Sequence, residues 1–180
     1  APFDLFAAAN VSFVDAAVKA GACDGATKAP YARGRVVVWV KKGTVAPPEK
    51  LEDLLDARFK RLSLANPEHA PYGAAAKAAL EQAGLWSALE PRLVYGENVR
   101  TALQFAQSGN VDAALVALSL VVGDHDNPWL LVPDRLHPPL EQALVVCNRG
   151  GQRDGAKKFA ELVASPEGRA LMQRYGFVLP

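Results

Sequence analysis

Residues 61–84 place the tightest constraint on what this chain can become. A short apolar strand over 61–65 runs within a few residues into a helix that begins abruptly near Tyr72 and ends at Gly84. Pro71 can stand before or at the first helical turn without losing a needed donor. Gly73 and the alanines after it would let a ligand come close to the backbone. The N–H groups of a first helical turn have no acceptor within the helix, so this arrangement reads as a seat for an anion.

The same strand, loop and helix pattern recurs along the chain. Residues 3–9 read as a buried strand, and Asn10 caps a helix whose Val11, Val14, Ala17 and Val18 share one face before Gly21 stops it. Residues 22–34, with two glycines and Pro30, read as a loop. Residues 35–41 are rich in valine and carry Trp39, the composition of a strand. A helix is expected over 49–57, with Leu51, Leu54 and Leu55 inward. After the 61–84 unit, Trp86 is expected against the neighbouring sheet and residues 92–95 form a strand. Asn98 then caps a helix with Val99, Ala102, Leu103 and Ala106 on one face and Gly109 as its stop. Strands follow at 113–117, 129–132 and 142–147, and helices at 154–164 and from Ser165-Pro166 onward.

This alternation predicts the α/β class, with short connections crossing onto parallel neighbours. The strands near Arg35 and Gln142 bracket a central block with both chain ends outside it. That is the pattern of two lobes, residues 1–38 with 140–180 forming the first and residues 39–139 the second. In such folds ligands sit at the carboxyl ends of strands, against helix N-termini.

Composition removes several classes of function. Twenty basic and nineteen acidic residues are interspersed, for a net charge of +1, so neither a nucleic-acid footprint nor a basic membrane surface is drawn. The longest apolar runs, 36–40 and 113–122, fall short of the roughly 20 residues a bilayer span requires. Residues 1–4 do not read as a secretory signal, and a processed chain would look the same, so the compartment stays open. Cys23 and Cys147 have no metal-ligand spacing and read either as a disulfide or as two buried thiols.

Catalytic patterns are missing: there is no G-x-S-x-G elbow, phosphate-binding G-x-x-x-x-G-K-S/T loop or G-x-G-x-x-G fingerprint. Asp124-His125-Asp126 could be drawn as a metal cluster, but neighbours on one turn rarely converge on an ion, and a solvated loop is expected. Glu68 beside His69 reads as a surface pair. With Glu97, His69 is the only acid/base candidate near the two helix starts, so no enzyme is expected. The starts at Tyr72 and Val99 have small or amide residues and no preceding lysine or arginine. They suit a fully ionised oxyanion held by neutral dipoles.

Residues 66–73, Asn66-Pro67-Glu68-His69-Ala70-Pro71-Tyr72-Gly73, are similar to the N/D-P-E-H-x-P-x-G signature of the molybdate-binding proteins of ABC transporters. Glu97-Asn98-Val99-Arg100 resembles that family's E-D/N-V-R motif, residues 4–9 its D-V/L-F-x-S-A strand, residues 31–35 its entry into the second lobe, and Arg174-Tyr175-Gly176-Phe177 its R-Y-G-F ending. The resemblance runs in order along essentially the whole chain. It implies a type II periplasmic-binding-protein fold, two α/β lobes on a hinge closing over a tetrahedral oxyanion. It also implies oxyanion binding by the backbone N–H groups of Tyr72 and Val99, with Ala9 and Asn10 as a weaker further source. One branch of the family adds a tyrosine hydroxyl where this chain has Ala117, which cannot supply it.

The function the resemblance implies is capture of molybdate, with tungstate as a second ligand, by an extracytoplasmic solute-binding protein that delivers to the permease subunits of an ABC importer, with no cofactor and no nucleic acid. The alternatives are an oxyanion-sensing effector domain of a transcription regulator and a binder of sulfate or phosphate. Family members begin with a strand-helix-strand-helix unit of about fifty residues ahead of the D-V/L-F motif, so the first lobe is expected to be incomplete and its uncovered face to invite self-association.

Overall fold

A computed structural model describes residues 2–180. In chain order its elements are β1 (Leu5–Ala8), α1 (Val11–Lys19), β2 (Ala29–Gly34), β3 (Val36–Trp39), β4 (Leu62–Ala65), α2 (Pro71–Gln82), α3 (Trp86–Leu89), β5 (Leu93–Gly96), α4 (Val99–Gln107), β6 (Ala113–Ala117), β7 (Trp129–Leu131), β8 (Leu140–Val146), α5 (Arg153–Ala164) and α6 (Pro166–Arg174). The class is α/β. Two compact units are present, one built from the stretch up to Gly34 with Leu140–Pro180, the other from Arg35–Pro139. The first passage between them lies earlier than the expected one after Val38, because β3 as a whole pairs with β6 and β7.

The first unit is a three-stranded sheet in the order β1-β8-β2, antiparallel throughout. Asn10 caps α1 by accepting the Ser12 N–H at 2.9 Å, and Gly21 leaves the helix at φ 67°, a left-handed conformation that glycine adopts without a Cβ penalty. Val14 of α1 packs with Ala143 and Val145 of β8. β2 was expected as loop. Its partner lies more than a hundred residues away, and Pro30, which suggested a loop, sits on an edge strand where the register with β8 shifts. Cys23 and Cys147 are joined as a disulfide within the apolar cluster of this unit, which settles the choice between cystine and two thiols.

The second unit is a five-stranded sheet in the order β5-β4-β6-β3-β7. β5, β4 and β6 are parallel, while β3 is antiparallel to both β6 and β7. The expectation of parallel neighbours throughout is therefore corrected. A parallel pair needs a crossover long enough to carry the chain back, usually a helix, and only the connections through α2 and α4 supply one here. The stretch expected as a helix over 49–57 is a short 3-10 turn, Leu51–Leu55. There the Asp53 carboxylate accepts the N–H groups of Glu49 at 2.8 Å and Lys50 at 3.2 Å, and Leu51 and Leu54 point inward with three-residue spacing.

Both faces of this sheet are covered. Val37 and Trp39 of β3 and Ala114 and Val116 of β6 form one cluster with Ala102, Leu103 and Ala106 of α4. The alternate residues Val36, Val38 and Leu115 face the other way and are equally buried, on the side where α2 meets β3, β4 and β6. Burial on both faces explains why β3 and β6 read as continuous apolar runs rather than alternating ones. Trp86 is half-buried, with the Lys77 ammonium of α2 5.0 Å from its ring centroid.

The disulfide closes a loop with a sequence separation of 124 residues. Chain entropy alone then assigns it about 4–5 kcal/mol of stability. A Cys23→Ala, Cys147→Ala double variant is expected to lose stability on that scale in denaturant titrations. Reductant should shift the unfolding midpoint of the parent and leave that of the variant unchanged.

Candidate functional site

The two helix starts singled out by the sequence are brought to neighbouring strand ends. Ala65, the last residue of β4, is in register with Gly96, the last of β5. The Asn66 N–H donates to the Gly96 carbonyl at 2.8 Å, so the ladder extends one bond beyond the strands and ties the two loops together. α2 leaves the end of β4 for one face of the sheet and α4 leaves the end of β5 for the other. Adjacent strand ends whose helices diverge in this way leave a crevice between their loops.

Each start is built differently. In the loop after β4, the Asn66 side chain accepts the Glu68 N–H at 2.9 Å and its carbonyl accepts the Ala70 N–H at 2.9 Å, which turns the chain sharply into α2. Pro71 is the first helical residue, buried Tyr72 the second, and Ala70 at the cap position offers no side-chain acceptor. At α4 the Asn98 carboxamide caps the helix by accepting the Thr101 N–H at 2.9 Å and its hydroxyl at 3.3 Å. That bond is made at the third residue of the helix, so the Val99 and Arg100 N–H groups, one and two residues in, have no acceptor within the helix. Neither first turn contains an acidic residue. Both helix ends therefore present amide hydrogens and the positive end of the helix dipole without a competing carboxylate, a chemistry that accepts anions.

Gly73 does not serve the purpose expected of it. A Cβ there would lie 2.1 Å from the Ala65 carbonyl oxygen. The missing side chain lets α2 sit on the end of its own strand rather than opening the backbone to a ligand. Gly96 does the same for α4, since a Cβ there would fall 2.6 Å from the Ala102 nitrogen. A further residue escaped the sequence reading. Ser63, in the middle of β4 and fully buried, donates its hydroxyl to the Ala102 carbonyl at 2.7 Å. Its position in an apolar strand, Leu62-Ser63-Leu64-Ala65, was the available signal, because a buried hydroxyl requires a partner.

The remaining candidates fall away from these helix starts. Glu68 and His69 form an exposed pair at 3.7 Å. Glu97 is exposed at the mouth of α4. Ala117 is buried at the end of β6, with no hydroxyl to offer, and the next residue, Leu118, donates its N–H to the Arg35 carbonyl at 2.9 Å. In the first unit, Ala9 lies between β1 and α1, and the Asn10 side chain is engaged in capping. Asp124 is occupied by its own loop: its carboxylate accepts both the side-chain N–H groups of Asn127, at 2.8 and 3.0 Å, and the backbone N–H groups of Asp126 and Asn127. No group of three or more metal-ligating side chains is present among the described residues. Among the same residues, no helix is long and apolar enough to cross a membrane.

Residues 1–178 match the family of bacterial extracellular solute-binding proteins. The molybdate-binding protein ModA of Rhodobacter capsulatus is 32% identical over 181 residues, spanning 99% of this chain and 70% of its own length. The protein of the same name from Azotobacter vinelandii is 33% identical over 187 residues, spanning 99% of this chain and 72% of its own. The solved Azotobacter vinelandii periplasmic molybdate-binding protein superposes with a TM-score of 0.90 at 26% identity, covering all of this chain and 80% of that one. These relatives are solute-binding proteins and not enzymes.

Two measurements probe the local architecture. Gly73→Ala forces α2 away from Ala65, and an overpacking cost of about 1–3 kcal/mol is expected in chemical denaturation. For Asp124, partial burial raises the carboxyl pKa, but the hydrogen bonds from Asn127 and Asp126 outweigh it and hold the group below the usual aspartate range. A lowered folded-state pKa contributes stability above the unfolded value of about 3.9, which is lost as pH falls through the folded value. Asp124→Ala should accordingly cost more stability at pH 6 than at pH 3, measured as the difference in unfolding midpoint from the parent.

Proposed function

We propose that this chain, which belongs to the bacterial extracellular solute-binding proteins, captures molybdate outside the cytoplasm and delivers it to the permease subunits of an ABC importer. The observation that carries this reading is the pairing of two helix starts at the bonded ends of β4 and β5. The backbone N–H groups of Tyr72 and Val99 are the proposed oxyanion donors. Similarity to molybdate-binding relatives along 99% of the chain supports molybdate as the ligand.

Neutral N–H donors recognise an oxygen that accepts and carries no proton. Tungstate, with the same charge and shape, is proposed as a second ligand. Phosphate is disfavoured, because near neutral pH it keeps a hydroxyl that needs an acceptor and neither first turn contains a carboxylate. Sulfate is fully ionised like molybdate, so discrimination against it rests on size. Competition by sulfate at fixed molybdate measures that discrimination directly.

Two charge-assisted hydrogen bonds contribute about 1.5–3 kcal/mol each, against the roughly 8 kcal/mol of a micromolar complex. The 180-residue chain is therefore expected to bind molybdate with millimolar affinity in titration calorimetry. A version extended to the length of the Rhodobacter relative should bind far more tightly. Submicromolar binding by the 180-residue chain would overturn the assignment of only two donors.

Self-association is proposed for the first unit, where Phe3, Phe13, Phe159, Leu162, Leu171 and Tyr175 are exposed. A concentration-dependent elution volume in size-exclusion chromatography is the expected sign. A monomer at every concentration counts against it.

A further inference from the structure

We infer that Ser63 is a positioning residue for oxyanion binding, setting where the α4 start stands relative to the α2 start. This inference rests on the assignment of Tyr72 and Val99 as donors. Ser63 cannot touch a ligand, since it is fully buried within β4. It acts through Ala102, the fourth residue of α4, whose carbonyl receives the Ser63 hydroxyl at 2.7 Å.

The same Ala102 is the residue against which Gly96 packs, with room for no Cβ between them. Gly96 in turn accepts the Asn66 N–H at 2.8 Å, and Asn66 follows Ser63 by three residues on the same strand and its exit. The contacts close a ring: Ser63 to Ala102, Ala102 to Gly96, Gly96 to Asn66, and back along β4. α2 joins the ring where Gly73 rests on Ala65 and Asn66. The other links are backbone geometry, one of them open only to a glycine at position 96. The Ser63 bond is the single side-chain link, and it holds a helix otherwise secured by apolar contacts, which are non-directional.

A buried hydroxyl bonded to a carbonyl already inside a helix contributes modestly to stability. Its directional value is larger, because it fixes the rotation and rise of the first turn of α4. Without it α4 can shift on its apolar face, and the Val99 and Arg100 N–H groups lose their alignment with the first turn of α2. The expected consequence is a selective loss of oxyanion affinity rather than of folding.

The test is a titration of the 180-residue chain with sodium molybdate, followed by amide proton and nitrogen shifts, which reads weak binding. In the parent, the Tyr72 and Val99 amides should move on saturation; if they do not, the donor assignment itself fails, and the Ser63 inference with it. Given that movement, Ser63→Ala is expected to weaken binding about 3- to 10-fold, the range of one hydrogen bond. It should also speed hydrogen exchange in the first turn of α4 while leaving that of α2 unchanged. Ser63→Thr, which keeps the hydroxyl, should restore both. Val145→Ala, on β8 in the apolar cluster of the first unit, lowers stability without touching the ring and should leave the dissociation constant unchanged. If Ser63→Ala is too unstable to titrate, Ser63→Cys, with a weaker donor, makes the same comparison. Equal affinity for the parent and the hydroxyl-deficient variant, or an equal loss in Val145→Ala, would overturn the inference.

Discussion

The parallel pairing of β4 with β5, prolonged by the bond from Asn66 to Gly96, is the constraint on which the second unit depends. It places two loops side by side at one edge of the sheet. Each loop opens a helix, and each helix is drawn close to the sheet by a glycine, Gly73 against Ala65 and Gly96 against Ala102. Close approach matters because a helix dipole acts over a short range, within the first turn. Had either glycine been a larger residue, its helix would stand off and the two first turns would no longer share one crevice.

Around that edge the sheet supplies rigidity rather than chemistry. β6 and β3 are buried on both faces, and Trp39, Val37 and Val116 lock α4 through apolar packing. The charged side chains near the helix starts, Glu68, His69, Glu97 and Arg100, are exposed and their interactions are screened by water. A site of this kind works by fixed backbone dipoles in place of side-chain charge. In the proposed function such a site would recognise an ion by its oxygens and their protonation.

Local signals were legible where the physics is local. Asn10 and Asn98 were read as helix caps and each accepts the expected backbone N–H. Gly21, Gly84 and Gly109 were read as helix stops and all three carry positive φ. Signals that depend on distant partners were missed or left open: β2 pairs with a strand more than a hundred residues away, β3 runs antiparallel to its neighbours, and the choice between a disulfide and two thiols at Cys23 and Cys147 is made only once β8 is in place. The turn at Leu51–Leu55 failed as a helix because Asp53 bonds back to the chain ahead of it, a local competition that leucine spacing alone conceals.

The sequence by itself determined the α/β class, the family, and the positions at which two helices begin with small or amide residues and no preceding cation. These follow from capping chemistry, periodicity and motif, all properties of short stretches. Only the tertiary structure decided that the two starts stand at neighbouring strand ends, that Gly73 makes room for Ala65 rather than for a ligand, and that Ser63 reaches Ala102. The reason is that strand order and helix approach are set by packing among residues far apart in the chain, and no local pattern records which strands will become neighbours.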